Sequence, residues 1–263
     1  MNIFDFIKMK QQHEKITMVT CYDYTSARIL ANTPVDCLLV GDSVAMTMHG
    51  YKDTIAATIE MIAFHTQAVA RGAGDKFIVA DLPFLSYRKS LSENVSAAQT
   101  LIQAGAHAVK LENAAGNLEL IRHLAESGIP VMGHLGLTMQ LMHMLGGLKV
   151  QGKKDEDAER MKQDALQLQQ AGCFAMVLEC IPKKLAKEIS ASLLIPTIGI
   201  GAGKDTDGQV LVLQDLLGLT TDFKPKFVKI FVDGQTQVKQ GIEEYVNAVK
   251  TGDFPGDENC YNG

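Results

Sequence analysis

Short apolar runs rich in Val, Ile and Leu recur along the chain and alternate with stretches of helical spacing. The runs lie at residues 16–20, 37–40, 77–80, 108–111, 129–132, 174–178, 196–200 and 210–213. Continuous apolar runs without in-out alternation are typical of strands buried on both faces, and helical connections suit parallel crossovers. The pattern therefore predicts a parallel sheet of alternating strands and helices.

The number of these units favours one barrel. Eight of them in 263 residues match a (β/α)8 barrel better than an open doubly wound sheet, which usually has fewer strands. No linker rich in Pro or Ser and no break in composition divides the chain, so we expect a single domain over residues 1–263. An additional helix at residues 2–12 precedes the first strand and could cap the bottom of the barrel.

Composition and charge argue against several classes of binding partner and of structural site. The formal charge of −5 gives no reason to expect binding to nucleic acid or to an anionic membrane. The five cysteines are scattered and never form a C-x-x-C pair, which argues against a disulfide framework and a zinc site. No stretch is typical of a membrane span or a secretory signal. We therefore expect a cytoplasmic protein.

Charged residues follow several of the apolar runs directly. Asp42, Asp81 and Glu112 each come at or just after the end of a predicted strand, as do His134 and Glu179. All strands of a parallel barrel end on one face, which is where barrel enzymes place their chemistry. Three converging carboxylates repel one another unless a cation is present, and oxygen ligands favour Mg²⁺, with Mn²⁺ as a substitute. Taken singly, each carboxylate could equally be a helix cap or a solvated loop residue.

Glu179, Lys110 and His134 are the other candidates for chemistry. Glu179 lies between apolar residues, a setting that suits a general base, although it could also cap a helix before Pro182. Lys110 is two residues before Glu112, so both side chains point into the barrel, where the ammonium could bind an anionic substrate or form an internal ion pair. His134 could donate to a developing oxyanion or be a buried structural histidine.

The connection between His134 and Asp155 is unusually long. It combines Met139, Leu141, Met142 and Met144 with a pair of glycines at 146–147. Connections of this length are usually functional. A lid, a wall for a flat aromatic ligand and a subunit contact are all compatible with this sequence.

Taken in order, these motifs are recognisable. They are Gly-Asp-Ser at 41–43, Phe-His-Thr at 64–66, Asp-Leu-Pro-Phe at 81–84, Lys-Leu-Glu at 110–112, Gly-His-Leu-Gly-Leu-Thr at 133–138, Lys-Val-Gln-Gly at 149–152, Leu-Glu-Cys at 178–180, and Gly-Ile-Gly-Ala-Gly at 199–203 followed by Asp-Gly-Gln at 207–209. Together they resemble the ketopantoate hydroxymethyltransferase family, over about residues 20–249. The combination is far more specific than any single motif.

The resemblance implies a (β/α)8 barrel of the phosphoenolpyruvate/pyruvate type, one Mg²⁺ per subunit and a homo-oligomer, expected to be a decamer. It implies transfer of a hydroxymethyl group from 5,10-methylenetetrahydrofolate to 3-methyl-2-oxobutanoate, giving 2-dehydropantoate in pantothenate biosynthesis. The matching positions give metal ligands Asp42, Asp81 and Glu112, substrate contacts Asp42, Ser43, Asp81 and Lys110, and the proton acceptor Glu179. We add His134 as a substrate contact.

The chain departs from the family pattern at Ala45, Ala56, Phe64 and Leu148. These departures concern pocket shape and loop stiffness and leave the metal and base positions intact. Two other functions remain open at this point: a folate-independent, magnesium-dependent aldolase or lyase acting on 2-oxo acids, and a protein that binds keto acids without catalysis. The intact set of acidic residues weighs against the second.

Overall fold

A computed structural model of the chain describes residues 1–220 and 225–261. Its strands are β1 (Ile16–Thr20), β2 (Cys37–Val40), β3 (Phe77–Asp81), β4 (Ala108–Lys110), β5 (Val131–Gly136), β6 (Cys173–Glu179), β7 (Thr197–Ile200) and β8 (Gly208–Leu211). They form a closed barrel in chain order in which every neighbouring pair is parallel, and β1 pairs with β8. The predicted (β/α)8 barrel is confirmed.

Helices occupy most of the connections between strands. They are α1 (Ile3–Gln11), α2 (Tyr24–Ala31), α3 (Val44–Thr47), α4 (Ile59–Gly72), α5 (Leu91–Gln103), α6 (Leu118–Glu126), α7 (Met142–Leu145), α8 (Asp155–Ala171), α9 (Lys183–Ser192), α10 (Leu213–Leu216) and α11 (Gly234–Thr251). Short 3₁₀ turns lie at Thr54–Ala56, Met139–Leu141 and Asp257–Asn259. Side-chain hydrogen bonds cap the first turns of several helices. At the beginning of α5, for example, Ser90 and Glu93 form a reciprocal capping box.

Two predicted strands were misplaced. The fifth was expected at 129–132 but spans Val131–Gly136, because the long strand β6 offers pairing partners as far as Gly136. The eighth was expected at 210–213 but begins at Gly208, which pairs with both Ile16 and Ile198. A side chain at Gly208 would lie 2.4 Å from the carbonyl oxygen of Ile16. Glycine therefore permits the close approach that shuts the barrel.

The additional helix closes the amino-terminal end of the barrel, as predicted. Asn2 caps α1, and the fully buried Phe6 projects from it into the core. The Phe6 ring packs edge-on against Phe77 and Phe174, at centroid distances of 5.3 and 5.2 Å. Both partners lie at the start of their strands, so aromatic packing fills this end of the barrel.

The described residues divide into two compact units, Met1–Val212 and Leu213–Gly263. The first contains the entire barrel, and the second contains α10 and α11. The prediction of a single domain over 1–263 stays a prediction. Within the described ranges, no helix combines the length and apolar character that crossing a membrane requires.

Candidate active site

The carboxyl ends of neighbouring strands bring six of the predicted site residues together. Asp81 and Lys110 end β3 and β4 and are partners in the parallel register. The Lys110 Nζ atom lies 2.9 Å from Asp81 Oδ1, and both side chains are buried. Asp81 and Lys110 belong to a cluster of six ionisable residues, which we call the acid pocket. Its members are Asp42, Asp81, Lys110, Glu112, His134 and Glu179.

His134 links two carboxylates of the acid pocket. Its Nδ1 atom lies 3.3 Å from Glu112 Oε1, and its Nε2 atom lies 3.2 Å from Glu179 Oε2. Lys110 Nζ is 3.5 Å from the same Nδ1 atom. Lys110 and Glu112 therefore reach one imidazole, as expected of side chains two positions apart. His134 lies within β5 rather than after it, because that strand is longer than predicted.

Asp42 and Ser43 follow β2. The backbone N–H of Asp42 donates to Asp81 Oδ2 at 3.0 Å, so the ends of β2 and β3 are tied together. Ser43 begins α3 and is half-buried, and its Oγ atom lies 2.7 Å from the hydroxyl of Tyr22. The tyrosine is fully buried just after β1. Ser43 is thus held at the edge of the acid pocket by a side chain that the sequence analysis did not single out.

Gln140 is a second residue that the sequence analysis missed. Its side-chain amide donates to Asp42 Oδ2 at 3.0 Å and to the carbonyl of Leu82 at 3.1 Å. Its backbone N–H donates to Glu112 Oε2 at 3.2 Å, and its amide oxygen accepts from the Tyr87 hydroxyl at 2.8 Å. One buried residue, through its side chain and its backbone N–H, therefore contacts the ends of three successive strands.

Both omissions had a usable signal in the sequence. Tyr22 follows β1 as closely as Asp42 follows β2, so the argument from strand ends applied to it as well. Gln140 is a lone polar residue between Met139 and Leu141 in the long connection after β5. Its partners could not be read from the sequence, because Asp42 lies 98 positions away.

Burial and mutual repulsion alter the protonation of the acids. Burial, together with the nearby charges of Asp81 and Glu112, raises the pKa of Asp42 to about 8. Burial also raises the pKa of Asp81, and it outweighs the opposing effect of Lys110. A carboxyl group with a raised pKa gains when a cation takes the place of its proton. These two oxygen donors therefore suit a hard divalent ion.

The two basic residues of the acid pocket are held in their charged forms. Burial and the neighbouring charge of Lys110 would lower the pKa of His134, but the carboxylates of Glu112 and Glu179 outweigh both and raise the value to about 9. Burial likewise opposes the charge of Lys110, and the carboxylates of Asp81, Asp42 and Glu112 together raise its pKa. At neutral pH the imidazolium and the ammonium thus lie among four carboxyl groups.

The acid pocket holds four carboxyl groups and only two basic groups. The raised pKa of Asp42 means that a bound proton offsets part of this excess in the ligand-free chain, and a divalent cation that displaced the proton would offset it instead. Across residues 1–220 and 225–261, no three His, Cys, Asp or Glu side chains are arranged to hold a metal ion by themselves. An ion bound here would therefore need further oxygen ligands from water or substrate.

Solved structures with the same architecture have very different sequences. Phosphoenolpyruvate phosphomutase from Streptomyces platensis aligns with a TM-score of 0.63 and 10% identity over 96% of this chain and 88% of that one. A phosphonopyruvate hydrolase in complex with oxalate and Mg²⁺ aligns with a TM-score of 0.62 and 9% identity over 98% and 93%. These similarities confirm the (β/α)8 barrel fold.

Sequence relatives match over the whole chain. The 3-methyl-2-oxobutanoate hydroxymethyltransferase of Bdellovibrio bacteriovorus is 56% identical over 260 residues, 99% of each chain. The enzyme of the same name from Francisella tularensis subsp. novicida is 55% identical over 261 residues, 99% of this chain and 98% of its own. The family model for ketopantoate hydroxymethyltransferase matches residues 1–257. The chain that folds into this barrel and carries this acid pocket therefore belongs to the ketopantoate hydroxymethyltransferase family.

Proposed function

We propose that the acid pocket transfers a hydroxymethyl group from 5,10-methylenetetrahydrofolate to 3-methyl-2-oxobutanoate, giving 2-dehydropantoate. The observation that carries the proposal is the contact of His134 with Glu112 on one side and with the half-buried Glu179 on the other. It places a partly accessible carboxylate beside a buried set of charges that suits a small anionic keto acid. The names of the relatives support the same reaction.

Mg²⁺ fits the donor set of the acid pocket. Asp42 and Asp81 would hold it, with Glu112 beside them, and Mn²⁺ is the substitute that we expect to work. These residues offer oxygen donors, and the raised pKa of Asp42 favours replacement of its proton. When bound, the ion would draw electron density from the keto oxygen of the substrate and so make its C3–H more acidic.

Lys110 and Ser43 would bind the carboxylate of the keto acid. The ammonium of Lys110 has three N–H donors and uses one of them on Asp81. It can therefore bind a substrate oxygen and keep its ion pair. Ser43 is fixed by Tyr22 at 2.7 Å, so its hydroxyl is oriented before substrate arrives.

Glu179 would accept the C3 proton at its carboxylate. Its side chain is 16% exposed, whereas His134 beside it is buried, so Glu179 is the member of this pair that a substrate can reach. His134 holds Oε2 of Glu179 on one side and Glu112 on the other, which fixes the direction of the carboxylate. Once deprotonated, C3 bonds to the one-carbon unit of the folate. Both bonds from that carbon to the folate nitrogens break, and water supplies the hydroxyl group. Tetrahydrofolate leaves with its two nitrogens protonated, one by the proton that Glu179 accepted and one by the water.

Proton NMR of 3-methyl-2-oxobutanoate in D₂O tests the two halves of the reaction separately. With protein and Mg²⁺ alone, the C3 proton should exchange for deuterium, and addition of methylenetetrahydrofolate should yield 2-dehydropantoate. Chelation of the metal by EDTA should stop both. A protein that exchanges no C3 proton with Mg²⁺ or Mn²⁺ present would contradict the proposed chemistry.

The same samples distinguish the folate-independent alternative. An aldolase or lyase of this barrel type should turn over with aldehyde acceptors and ignore tetrahydrofolate, while still exchanging the C3 proton. Product formation that depends strictly on the reduced folate excludes that alternative.

We also propose that the chain works as a homodecamer in the cytoplasm. In the second unit, α11 exposes an apolar stripe of Val238, Ile242, Tyr245 and Val249, a pattern that suits contact with another subunit. Light scattering coupled to size-exclusion chromatography measures the assembly, and a monomer at micromolar concentration would contradict the expectation.

A further inference from the structure

The connection after β5 has a buried beginning and an exposed remainder. Leu137, Thr138 and Gln140 are buried, whereas Met144 is 84% exposed and Leu148 is also exposed. The side chain of Leu145 lies outside the described part of the structure. We call residues 137–152 the β5 connection, and we call its buried beginning, residues 137–141, the root.

The root is fastened to the acid pocket at several points. Gly136, just before it, has a φ of 104°, and a side chain there would lie 2.1 Å from the carbonyl oxygen of Glu179. That carbonyl accepts the N–H of Leu137 at 2.8 Å. Gln140 adds its bonds to Asp42 and Glu112. The root therefore packs against the backbone of the proposed base, against the proposed metal ligand Asp42 and against Glu112 beside the proposed metal site.

Gln140 donates to one oxygen of each carboxylate. Its amide contacts Oδ2 of Asp42, and its backbone N–H contacts Oε2 of Glu112. Hydrogen bonds to a charged acceptor are stronger than neutral ones and fix the plane of the carboxylate. The Tyr87 hydroxyl in turn fixes the amide of Gln140, because it donates to the amide oxygen at 2.8 Å.

We propose that Gln140 is a positioning residue that orients the carboxylates of Asp42 and Glu112 and thereby couples binding of the divalent cation and 2-oxo acid to the order of the β5 connection. The coupling to ligands rests on the proposed function, whereas the orienting contacts are present in the ligand-free chain. Tyr87 supports this arrangement, since its hydroxyl donates to the amide oxygen of Gln140 and accepts the backbone N–H of Glu112 at 3.4 Å. A purely structural Gln140 would stabilise the fold and leave ligand affinity in the folded protein unchanged.

The ligand-free protein provides the first test. Gln140→Met keeps the side-chain length and volume and removes both amide donors and the amide oxygen. Hydrogen–deuterium exchange of the peptides covering 137–145 should become about 10- to 100-fold faster, the scale of lost hydrogen bonds to charged groups. Gln151→Met is the matched control: it is the same change in the β5 connection, but the side-chain amide of Gln151 donates to the carbonyl of Lys149 and not to a carboxylate of the acid pocket.

Calorimetry provides the second test. The quantity to compare between variants is the Mg²⁺-dependent gain, which is the factor by which Mg²⁺ increases the affinity for 3-methyl-2-oxobutanoate. In Gln140→Met this gain should shrink by about 10- to 100-fold, in Tyr87→Phe it should shrink less, and in Gln151→Met it should equal that of the wild type. Urea unfolding of each variant reports any general loss of stability separately.

The outcomes separate the coupling from the function. Wild-type exchange in 137–145, or a wild-type Mg²⁺-dependent gain in Gln140→Met and Tyr87→Phe, overturns the role of Gln140. Lower stability with an unchanged gain assigns Gln140 a structural role only and also overturns it. If the wild type itself binds no 2-oxo acid, the proposed function fails, and exchange in the ligand-free variants alone decides whether Gln140 orders the β5 connection.

Discussion

The interiors of the two ends of this barrel are filled by different types of side chain. At the amino-terminal end, Phe6, Phe77 and Phe174 fill the space between the strands with aromatic rings. At the carboxyl-terminal end, buried acids and bases occupy the corresponding space, and Asp81 and Lys110 meet at 2.9 Å. Aromatic rings therefore dominate the interior of one end, and buried charges dominate the other.

This difference means that one end of the barrel mainly contributes to folding stability and the other mainly to ligand binding and catalysis. Burial of aromatic rings stabilises the fold without demanding a particular ligand. Burial of Asp42 has the opposite effect: it raises the pKa of the carboxyl group to about 8, so the ligand-free fold carries an unfavourable group that a bound cation would relieve. Substitutions at one end should therefore change unfolding, and substitutions at the other should change binding and rate.

The largest effect should come from Glu179→Gln. Glutamine keeps the size and polarity but accepts no proton, so C3 exchange should slow by roughly 10²–10⁴-fold while 2-oxo acid binding survives. NMR in D₂O measures the exchange. Glu188→Gln is the matched control and should exchange at the wild-type rate, because Glu188 lies on α9 and pairs with Lys162, outside the acid pocket. Wild-type exchange in Glu179→Gln would assign the base to another group.

Phe6→Ala should have the next largest effect, and only on stability. Removing a fully buried phenylalanine leaves a cavity and should cost about 3–5 kcal/mol in the free energy of unfolding. Phe4→Ala is the control on the same helix, since Phe4 is 73% exposed. Urea unfolding measures both. A large loss of activity per folded Phe6→Ala molecule would show that the two ends are not independent.

Lys110→Met tests whether the ammonium of Lys110, at the carboxyl-terminal end of the barrel, binds the substrate or stabilises the fold. As a substrate anchor, its loss should weaken 3-methyl-2-oxobutanoate binding by about 2–3 kcal/mol while Mg²⁺ alone still binds. As a structural partner of Asp81, its loss should lower stability by several kcal/mol and spare the affinity of the folded fraction. We expect the first result. Calorimetry and urea unfolding decide, with Lys162→Met on α8 as the control.

The smallest effect concerns His107, just before β4 at the aromatic end. It stacks on Phe77, its Nδ1 atom accepts the N–H of Ile78 at 3.0 Å, and partial burial lowers its pKa. The unfolded chain binds the proton more readily, so this stability is complete above the unfolded pKa and is lost as pH falls through the lowered one.

His107→Asn should keep an acceptor for Ile78 and flatten this pH dependence. The change should stay below about 1 kcal/mol because the side chain is exposed. Urea unfolding near neutral pH and at mildly acidic pH measures it. His123→Asn on α6 should retain the wild-type slope, and an unchanged slope in His107→Asn would show that other groups set it.

The positions of the strand ends show how much of the fold and of the site could be predicted from the sequence. The apolar runs predicted six strands to within about a residue at each end, and the rule that parallel strands end on one face correctly placed Asp81, Lys110 and Glu179 together. The rule also placed His134 with these residues, but the boundary was wrong, because the strand expected at 129–132 spans Val131–Gly136. Pairing with β6 extends this strand beyond its apolar run.

The sequence by itself determined the barrel, the family and the identity of the charged residues, since periodicity and motifs are local properties of the chain. Only the tertiary structure decided which atoms meet. The imidazole of His134 between two carboxylates, and the amide of Gln140 bonded to Asp42 across 98 positions, depend on strand register and on the path of the β5 connection. Long-range hydrogen bonds, burial and the resulting pKa values arise from that packing, so no local pattern encodes them.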